Sequence, residues 1–439
     1  MADWSTTPKT FFNRTVVPLF LVLVTPPFAM LFWHVNVELK GSFAALWAEI
    51  VQQGLLTLLS QVWLSRIFGT PTAWLLIGTF AVWQLALMKL LPGRQYQSTV
   101  TPMGNIPVYK DNGLLSYLLT FVVYFGLSLG LGLFKPGIIF HHFGDILGAL
   151  NLTALVFCVF LYLKGRYYPS TTDNSHTGNF IFDYYWGTEL YPRILGWDIK
   201  QFTNCRFGMT GWSLSVVSFA FAQYEIYGTA QWSIILSAAL LFIYLLKFFI
   251  WEEGYMKSMD IQVDRAGFYL CWGCLVWVPA VYTSPVMFMV HHPVELHWLV
   301  ALLIFTAGLI SIWLNYWADY QRQTVRATGG NTTIWGKKPQ LIQATYTTEN
   351  GQQKQNLLLA SGFWGISRHF HYIPEILSAF FWSCATGFGY FAPFFYVIFL
   401  TILLTHRSIR DDHKCRNKYG KYWEDYCKLV PYKIIPGVF

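Results

Sequence analysis

Stretches of apolar residues long enough to cross a lipid bilayer recur along the whole chain, and they narrow its fold more than any other feature. They run from Val16 to Val37, Thr72 to Leu91, Leu114 to Phe134, Ile146 to Leu163, Gly211 to Tyr227, Ile234 to Trp251, Phe268 to Val290, Leu299 to Trp317 and Ile376 to Thr405. A helix needs about 20 such residues to span the hydrocarbon core. Ala45 to Phe68 is a weaker candidate, because Glu49, Gln52, Gln53, Gln61 and Arg66 interrupt it. Only helices and closed barrels satisfy every backbone polar group in lipid, and runs of this length fit helices. The expected fold is an all-α polytopic membrane protein of nine or ten transmembrane helices. Composition agrees: 54% of the 439 residues are hydrophobic and 19% aromatic, against 12% charged, too apolar for a chain whose surface faces water. The first run follows Asn13 and Arg14 and lacks a small-residue cleavage site, so it reads as a retained signal anchor.

Lys and Arg gather at residues 94–110, 164–206, 247–265, 322–354 and 407–433, while the remaining connections carry little charge. That asymmetry predicts a cytosolic face for the charged connections, and it accounts for the net charge of +8 without nucleic acid as a partner. Seven cysteines are an odd number, and Cys271-x-x-Cys274 falls within an apolar run. Neither a disulfide framework nor a metal site is expected there. Gly126-x-x-x-Gly130-x-Gly132 follows no strand, so it reads as close helix packing through small residues and not as a dinucleotide fingerprint. Thr345 to Leu358 is β-rich around Asn350-Gly351. Either a strand pair with a type I′ turn or an irregular loop fits it.

Four groups of polar residues can carry chemistry. The segment "THRSIRDDHKCRNKYGKYWEDYC", Thr405 to Cys427, packs six Lys/Arg and four Asp/Glu into 23 residues. At helical spacing Arg407, Asp411 and Lys418 share a face, with Tyr419 and Tyr422 beside them. Such a face suits a bound polyanion or, equally, anionic lipid headgroups. "SGFWGISRHFHY" brings Trp364, Arg368, His369, His371 and Tyr372 together, where an indole and a guanidinium can sandwich an adenine, or an aromatic anchor can sit at the interface. Arg322 and Arg326, one helical turn apart, can grip a phosphate or end a solvated helix. Ionisable groups at membrane depth are usually kept for function. On that ground Tyr244, Glu252 and Asp260 are the candidate acids, whereas Lys247 can snorkel and Asp264 can pair with Arg265. Asp183, Glu189 and Arg193 suit a rigid loop, as substrate wall or as brace.

"GNFIFDYYWGTELYPR" and "LLTHRSIRDDHKCRNKYGKYWEDY" resemble the two signatures of the sterol reductase family, and "RFGM", "MDIQVDRAGFYLCWG", "HHPVEL", "WGKKP" and "SGFWGISRHFHY" extend the likeness over almost the whole chain. The branch it is most similar to acts on the 7,8 double bond of sterols. The resemblance implies a multi-pass endoplasmic reticulum enzyme that uses NADPH to saturate that bond, with a sterol as substrate and membrane lipids around it. It implies an N-terminal transmembrane region over residues 1–210 and a C-terminal one over 211–439 holding a sterol cavity and a cytosol-facing cofactor site. By the same resemblance Arg322, Arg326, Leu359, Trp364, His371, Arg407, Asp411, Lys418, Tyr419 and Tyr426 line the cofactor. Tyr244 is then the foremost proton donor, with Glu252 and Asp260 as alternatives, and Asp411 accepts a hydrogen bond from the cofactor or fixes the Arg fork. Lys247 departs from the acidic residue that many relatives carry at this spacing, and His371 in "RHFHY" departs from the Asn of the Δ14-type relatives. The competing expectations are a Δ14-sterol reductase, a methyltransferase of the isoprenylcysteine type and a non-catalytic sterol-binding protein.

Overall fold

The structure, a computed structural model, describes residues 11–101, 103–347, 351 and 353–439. Seven of its helices are long and apolar enough to cross a membrane: Phe12–Val37, Pro71–Leu90, Gly113–Gly130, Phe143–Tyr167, Trp232–Ile250, Trp298–Ala327 and Ala392–Tyr419. Two bent pairs raise the number to as many as nine: Phe43–Gln53 with Leu55–Arg66, turned by 114°, and Phe268–Tyr282 with Ser284–His291, turned by 40°. The sharper bend falls at Gly54, whose φ of +84° no β-carbon-bearing residue adopts readily.

The chain divides into two compact units, one running to Glu295 and including Gly389–Pro393, the other made of Leu296–Phe388 and Phe394–Phe439. In the first, the helix Thr210–Tyr227 continues a π-helical stretch, Gln201–Met209, without a break. The run expected to span at Gly211–Tyr227 is thus helical, but too polar to count among the apolar spans. Its buried polar groups find partners on neighbouring segments: Ser213 meets the Tyr117 hydroxyl at 2.6 Å, Ser218 donates to the Pro136 carbonyl at 2.6 Å, and Gln223 donates to the Met289 carbonyl at 2.6 Å. Pro26 and Pro27 lie inside the first helix, which runs on through them. Asn151 donates to the Pro26 carbonyl at 3.0 Å and accepts from the Trp272 indole at 2.8 Å, so one buried amide ties three elements. Between helices in lipid, such hydrogen bonds and close packing replace the hydrophobic drive available in water.

Gly126 and Gly130 do not pack against a helix. A β-carbon on either would meet none of the described residues within 4 Å outside its own helix. They close the Gly113–Gly130 span in a π-turn, which corrects the small-residue packing expected of them.

In the second unit the apolar run Ile376–Thr405 proves to be two helices, Tyr372–Cys384 and Phe395–Tyr419, separated by a turn. Gly387 takes a φ of +71° there. Leu341–Thr347 and Gln353–Leu359 pair antiparallel, Leu341 opposite Leu359 and Thr347 opposite Gln353. This is the strand pair; its turn lies at 348–352, of which 348–350 and 352 fall outside the described residues, so the expected turn type is not described. The hairpin buries Ala344 and Leu358 against Tyr419, Trp423, Tyr426 and Val430. A second cluster joins Leu359 to Ala318, Val325, Ile334, Phe363 and Trp364.

Candidate functional site

Most of the residues expected around a cofactor meet in the second unit. Trp364 stands on the short helix Phe363–Ile366, entered through Gly362 at a φ of +64°, where a β-carbon would collide with Gln321 and Ile334. Its indole is buried, and Nε1 donates to the Ala318 carbonyl at 2.7 Å. The Arg322 guanidinium lies 4.0 Å from the ring centroid and pairs with Asp319 at 3.0 Å. That spacing is a single layer of contact, so no base fits between the two. The adenine sandwich gives way to a guanidinium fixed on an indole by cation–π attraction. Arg368, the guanidinium expected in that sandwich, is engaged elsewhere: it donates to Asp412 at 2.6 Å, to the Pro431 carbonyl at 3.0 Å and to Cys427 at 2.8 Å. His371 has its ring 4.9 Å from the indole, and the buried Tyr426 hydroxyl donates to the Trp364 carbonyl at 3.3 Å.

Facing these residues is the C-terminal half of the helix Phe395–Tyr419, which carries Arg407, Asp411, Lys418 and Tyr419. The Lys418 ammonium lies 4.1 Å from the centre of the Tyr346 ring, and the Tyr419 hydroxyl accepts from Asn356 at 2.7 Å, so the hairpin orients both. Arg326 is close enough to Arg322 and to Lys418 for their charges to repel, and Lys354 and Lys414 add to the field at Lys418. Like charges gathered this way repel one another, a cost that a bound anion relieves. Beside Asp411 sits the imidazole of His369, Nε2 to Oδ2 at 3.7 Å. Burial holds that imidazole down at about 4, against its ordinary 6.5, with Asp411 opposing the shift.

In the first unit, Tyr244 and Lys247 lie near the end of the helix Trp232–Ile250. The Lys247 ammonium is 4.8 Å from the Tyr244 ring centroid, and the Trp212 ring is 5.9 Å away on the other helix. Trp212 in turn touches Tyr282 edge-on at 5.1 Å. Glu252 is buried and ion-paired with the fully buried Arg206, which also donates to Asn112 at 3.0 Å. Asp260 lies on the four-residue helix Met259–Gln262. Asp183, Glu189 and Arg193 act as braces: Asp183 accepts from the Thr177 amide and hydroxyl, Glu189 from Lys164 at 2.7 Å, and Arg193 donates to the Val108 carbonyl at 2.7 Å. Arg265 reaches the Asp173 and Thr188 carbonyls at 3.0 and 2.6 Å, where a pairing with Asp264 was expected.

Sequence reasoning missed Arg206 and Lys200. Lys200 is fully buried and donates to the Ile261 and Asp264 carbonyls at 2.6 and 2.7 Å. The available signal was "DIKQFTNCRFGM" itself, two cations opening a continuous helix. Their partners lie 46 or more residues away.

Comparison with known proteins adds three findings. The ergosterol biosynthesis ERG4/ERG24 family matches residues 15–439. A 7-dehydrocholesterol reductase of Arabidopsis thaliana is 48% identical over 424 residues, 96% of each chain, and one of Xenopus laevis is 38% identical over 358 residues, 80% of this chain and 76% of its own. A Delta(14)-sterol reductase of Methylotuvimicrobium alcaliphilum is 35% identical over 375 residues, 84% of each.

Proposed function

The chain belongs to the ergosterol biosynthesis ERG4/ERG24 family, and from that premise we propose that this sterol reductase saturates the 7,8 double bond of a Δ5,7 sterol at the expense of NADPH. Membership removes the methyltransferase and non-catalytic readings. The identity to relatives named 7-dehydrocholesterol reductase supports the choice of bond. The observation that carries the cofactor is the convergence of Arg322, Arg326 and Lys418 beside aromatic surfaces. Three cations suit the phosphates of NADPH, including the one NADH lacks. Trp364 serves the site by holding Arg322, while Leu359, His371, Arg407, Tyr419 and Tyr426 complete its walls and Asp411 accepts a hydrogen bond. The same reading puts the enzyme in the endoplasmic reticulum membrane, with about ten spans and the charged connections in the cytosol.

Bound there, NADPH supplies hydride. An alkene accepts hydride poorly, so a proton must reach one carbon of the ring-B diene before or as hydride reaches its neighbour. Tyr244 is the donor in this scheme, and the Lys247 ammonium over its ring is a neighbour from which the lost proton can be replaced. Glu252, engaged by Arg206 and by Gln201 at 3.4 Å, is better fitted to hold the end of the Tyr244 helix. Asp260 remains the alternative donor. The scheme requires a site that keeps out the water that would capture a sterol cation.

Purified protein is expected to oxidise NADPH only when a Δ5,7 sterol is present, with one sterol saturated per NADPH by gas chromatography. Consumption confined to a Δ14 sterol would instead favour the activity named for the Methylotuvimicrobium relative. Tyr244→Phe should lower kcat by about a hundredfold or more, the usual loss for a general acid, and leave the KM for NADPH unchanged. Full activity in that variant, with loss in Asp260→Asn, would transfer the role to Asp260. Arg326→Ala should raise the KM for NADPH about tenfold or more, as for a lost charged hydrogen bond. An unchanged KM would remove the cofactor from this site.

A further inference from the structure

One group of the second unit has no part in the scheme above. His369 lies between the helices Phe363–Ile366 and Tyr372–Cys384, 6% exposed. Its backbone is fixed on both sides: its amide donates to the Lys433 carbonyl at 2.8 Å and its carbonyl accepts from the Tyr372 amide at 3.0 Å. Its ring stacks on that of Tyr372, centroids 5.0 Å apart and 10° from parallel. The imidazole therefore has little freedom to turn. Among the described residues its Nε2 has no hydrogen-bond partner, and it faces Asp411 Oδ2 at 3.7 Å.

A packing histidine has no reason to leave a buried nitrogen unsatisfied, since an orphaned polar atom costs about 1–3 kcal/mol. The surrounding charges make the arrangement selective. Arg368, the preceding residue, is turned onto Asp412 and the Pro431 and Tyr432 carbonyls. Asp412 is thereby engaged, while Asp411 faces the imidazole. The charged groups acting on the ring are Asp411, Arg322, Arg368 and Asp412. Burial keeps the ring neutral at physiological pH, so it carries one N–H. At 3.7 Å the pair is too long for a hydrogen bond, yet near enough that a small shift of either side chain would close it.

We propose that His369 is a positioning residue of the cofactor site: its Nε2–H closes onto Asp411 when the nucleotide binds and fixes the carboxylate, so that its other oxygen is aimed at the ligand. The inference rests on Asp411 contacting the cofactor. His369 touches neither substrate nor cofactor and acts through that carboxylate alone.

The test is a double-mutant cycle on the full-length enzyme, with NADPH as the probe and both KM and kcat measured. His369→Phe keeps the stack on Tyr372 and removes the donor; His369→Gln keeps a donor. His369→Phe should raise the KM for NADPH about tenfold, with kcat within about twofold, and His369→Gln should recover most of the loss. In an Asp411→Asn background, His369→Phe should add nothing, because the pair acts as one unit. Thermal unfolding without NADPH should be similar for the variants, and His369→Met replaces His369→Phe if the latter does not fold. An unchanged KM in His369→Phe, or losses that simply add in the double variant, overturns the inference and leaves the cofactor site standing. An unchanged KM in Asp411→Asn overturns both.

Discussion

At the scale of single residues, the neighbouring carboxylates Asp411 and Asp412 have separable roles. Asp412 accepts from the Arg368 guanidinium at 2.6 Å and from the Trp423 indole at 3.0 Å. Asp412→Asn leaves a largely buried guanidinium without its counter-ion, which costs on the order of 3–5 kcal/mol. It should lower the unfolding temperature in the absence of ligand. Asp411→Asn should keep that temperature and weaken NADPH instead. Equal thermal loss in both variants would mean that the two carboxylates share one structural role. His369 adds a pH dependence whose sign follows from its burial. Its ordinary value is 6.5 and its folded value about 4, so below pH 6.5 the unfolded chain gains a proton that the folded chain refuses until about pH 4. Stability is therefore full above 6.5, falls between 6.5 and 4, and levels below that. The shift corresponds to about 3 kcal/mol. Unfolding midpoints of wild type and His369→Phe should be similar at pH 7 and separate toward pH 4, as the wild type alone loses stability. Parallel curves would show that the imidazole titrates normally.

Elements divide into those that lipid dictates and those that only contacts reveal. The spans were legible because the bilayer sets a length and forbids unpaired backbone polar groups, whereas the β-rich stretch around Asn350-Gly351 fitted a strand pair and an irregular loop alike until the pairing was seen. The break inside Ile376–Thr405 was masked by apolar residues on both sides of "GFGYFAP", although its glycines and Pro393 were turn signals in plain sight. The π-helical stretches Gln201–Met209 and Phe268–Tyr282 have no sequence signature, since widening the helical turn leaves residue types unchanged. Glycine shows the same limit from the other side. Gly126 sits in a small-residue pattern, yet a β-carbon there would meet none of the described residues outside its own turn, whereas Gly113, in no pattern, lies against the Glu252 carboxylate and the Arg206 guanidinium. A β-carbon at 113 would push apart the buried ion pair that joins the stretch Gln201–Met209 to the segment just after the helix Trp232–Ile250. Gly113→Ala should therefore lose roughly 3 kcal/mol or more, read as a lower unfolding temperature and poor yield. Gly126→Ala, already at a helical φ of −60°, should be neutral or stabilised by up to about 1 kcal/mol. Equal tolerance of both would mean that the ion pair is not held against Gly113.

For the whole molecule, what the sequence displayed of the site was its inventory of charge, and what it concealed was the pairing. Arg322, Arg326, Lys418, Trp364 and Asp411 announce themselves as cations, an indole and an acid in a chain poor in charge. That Arg322 covers the indole, or that Glu252 belongs to Arg206, depends on contacts over 42 and 46 residues, which no local pattern encodes. Sidedness is different, because it is a sum over many residues and survives errors in any one. In the first unit, Arg94 pairs with Glu253 at 2.5 Å and Lys164 with Glu189 at 2.7 Å at one end of the spans. His34 pairs with Glu49 at 2.9 Å and His141 with Glu225 at 3.0 Å at the other. The connections at the first end hold Arg94, Lys110, Arg193, Lys200, Lys257 and Arg265; those at the second hold Lys40, Arg66 and Lys135. Cationic connections are retained in the cytosol during insertion, so the second end should be lumenal. An N-glycosylation acceptor on a flexible insert in the 292–297 connection should be modified in microsomes, shifting the band relative to the parent. The same insert in the 168–178 connection should not be. Modification at 168–178 alone would invert the first unit in the membrane and put its cationic connections in the lumen, against the charge rule.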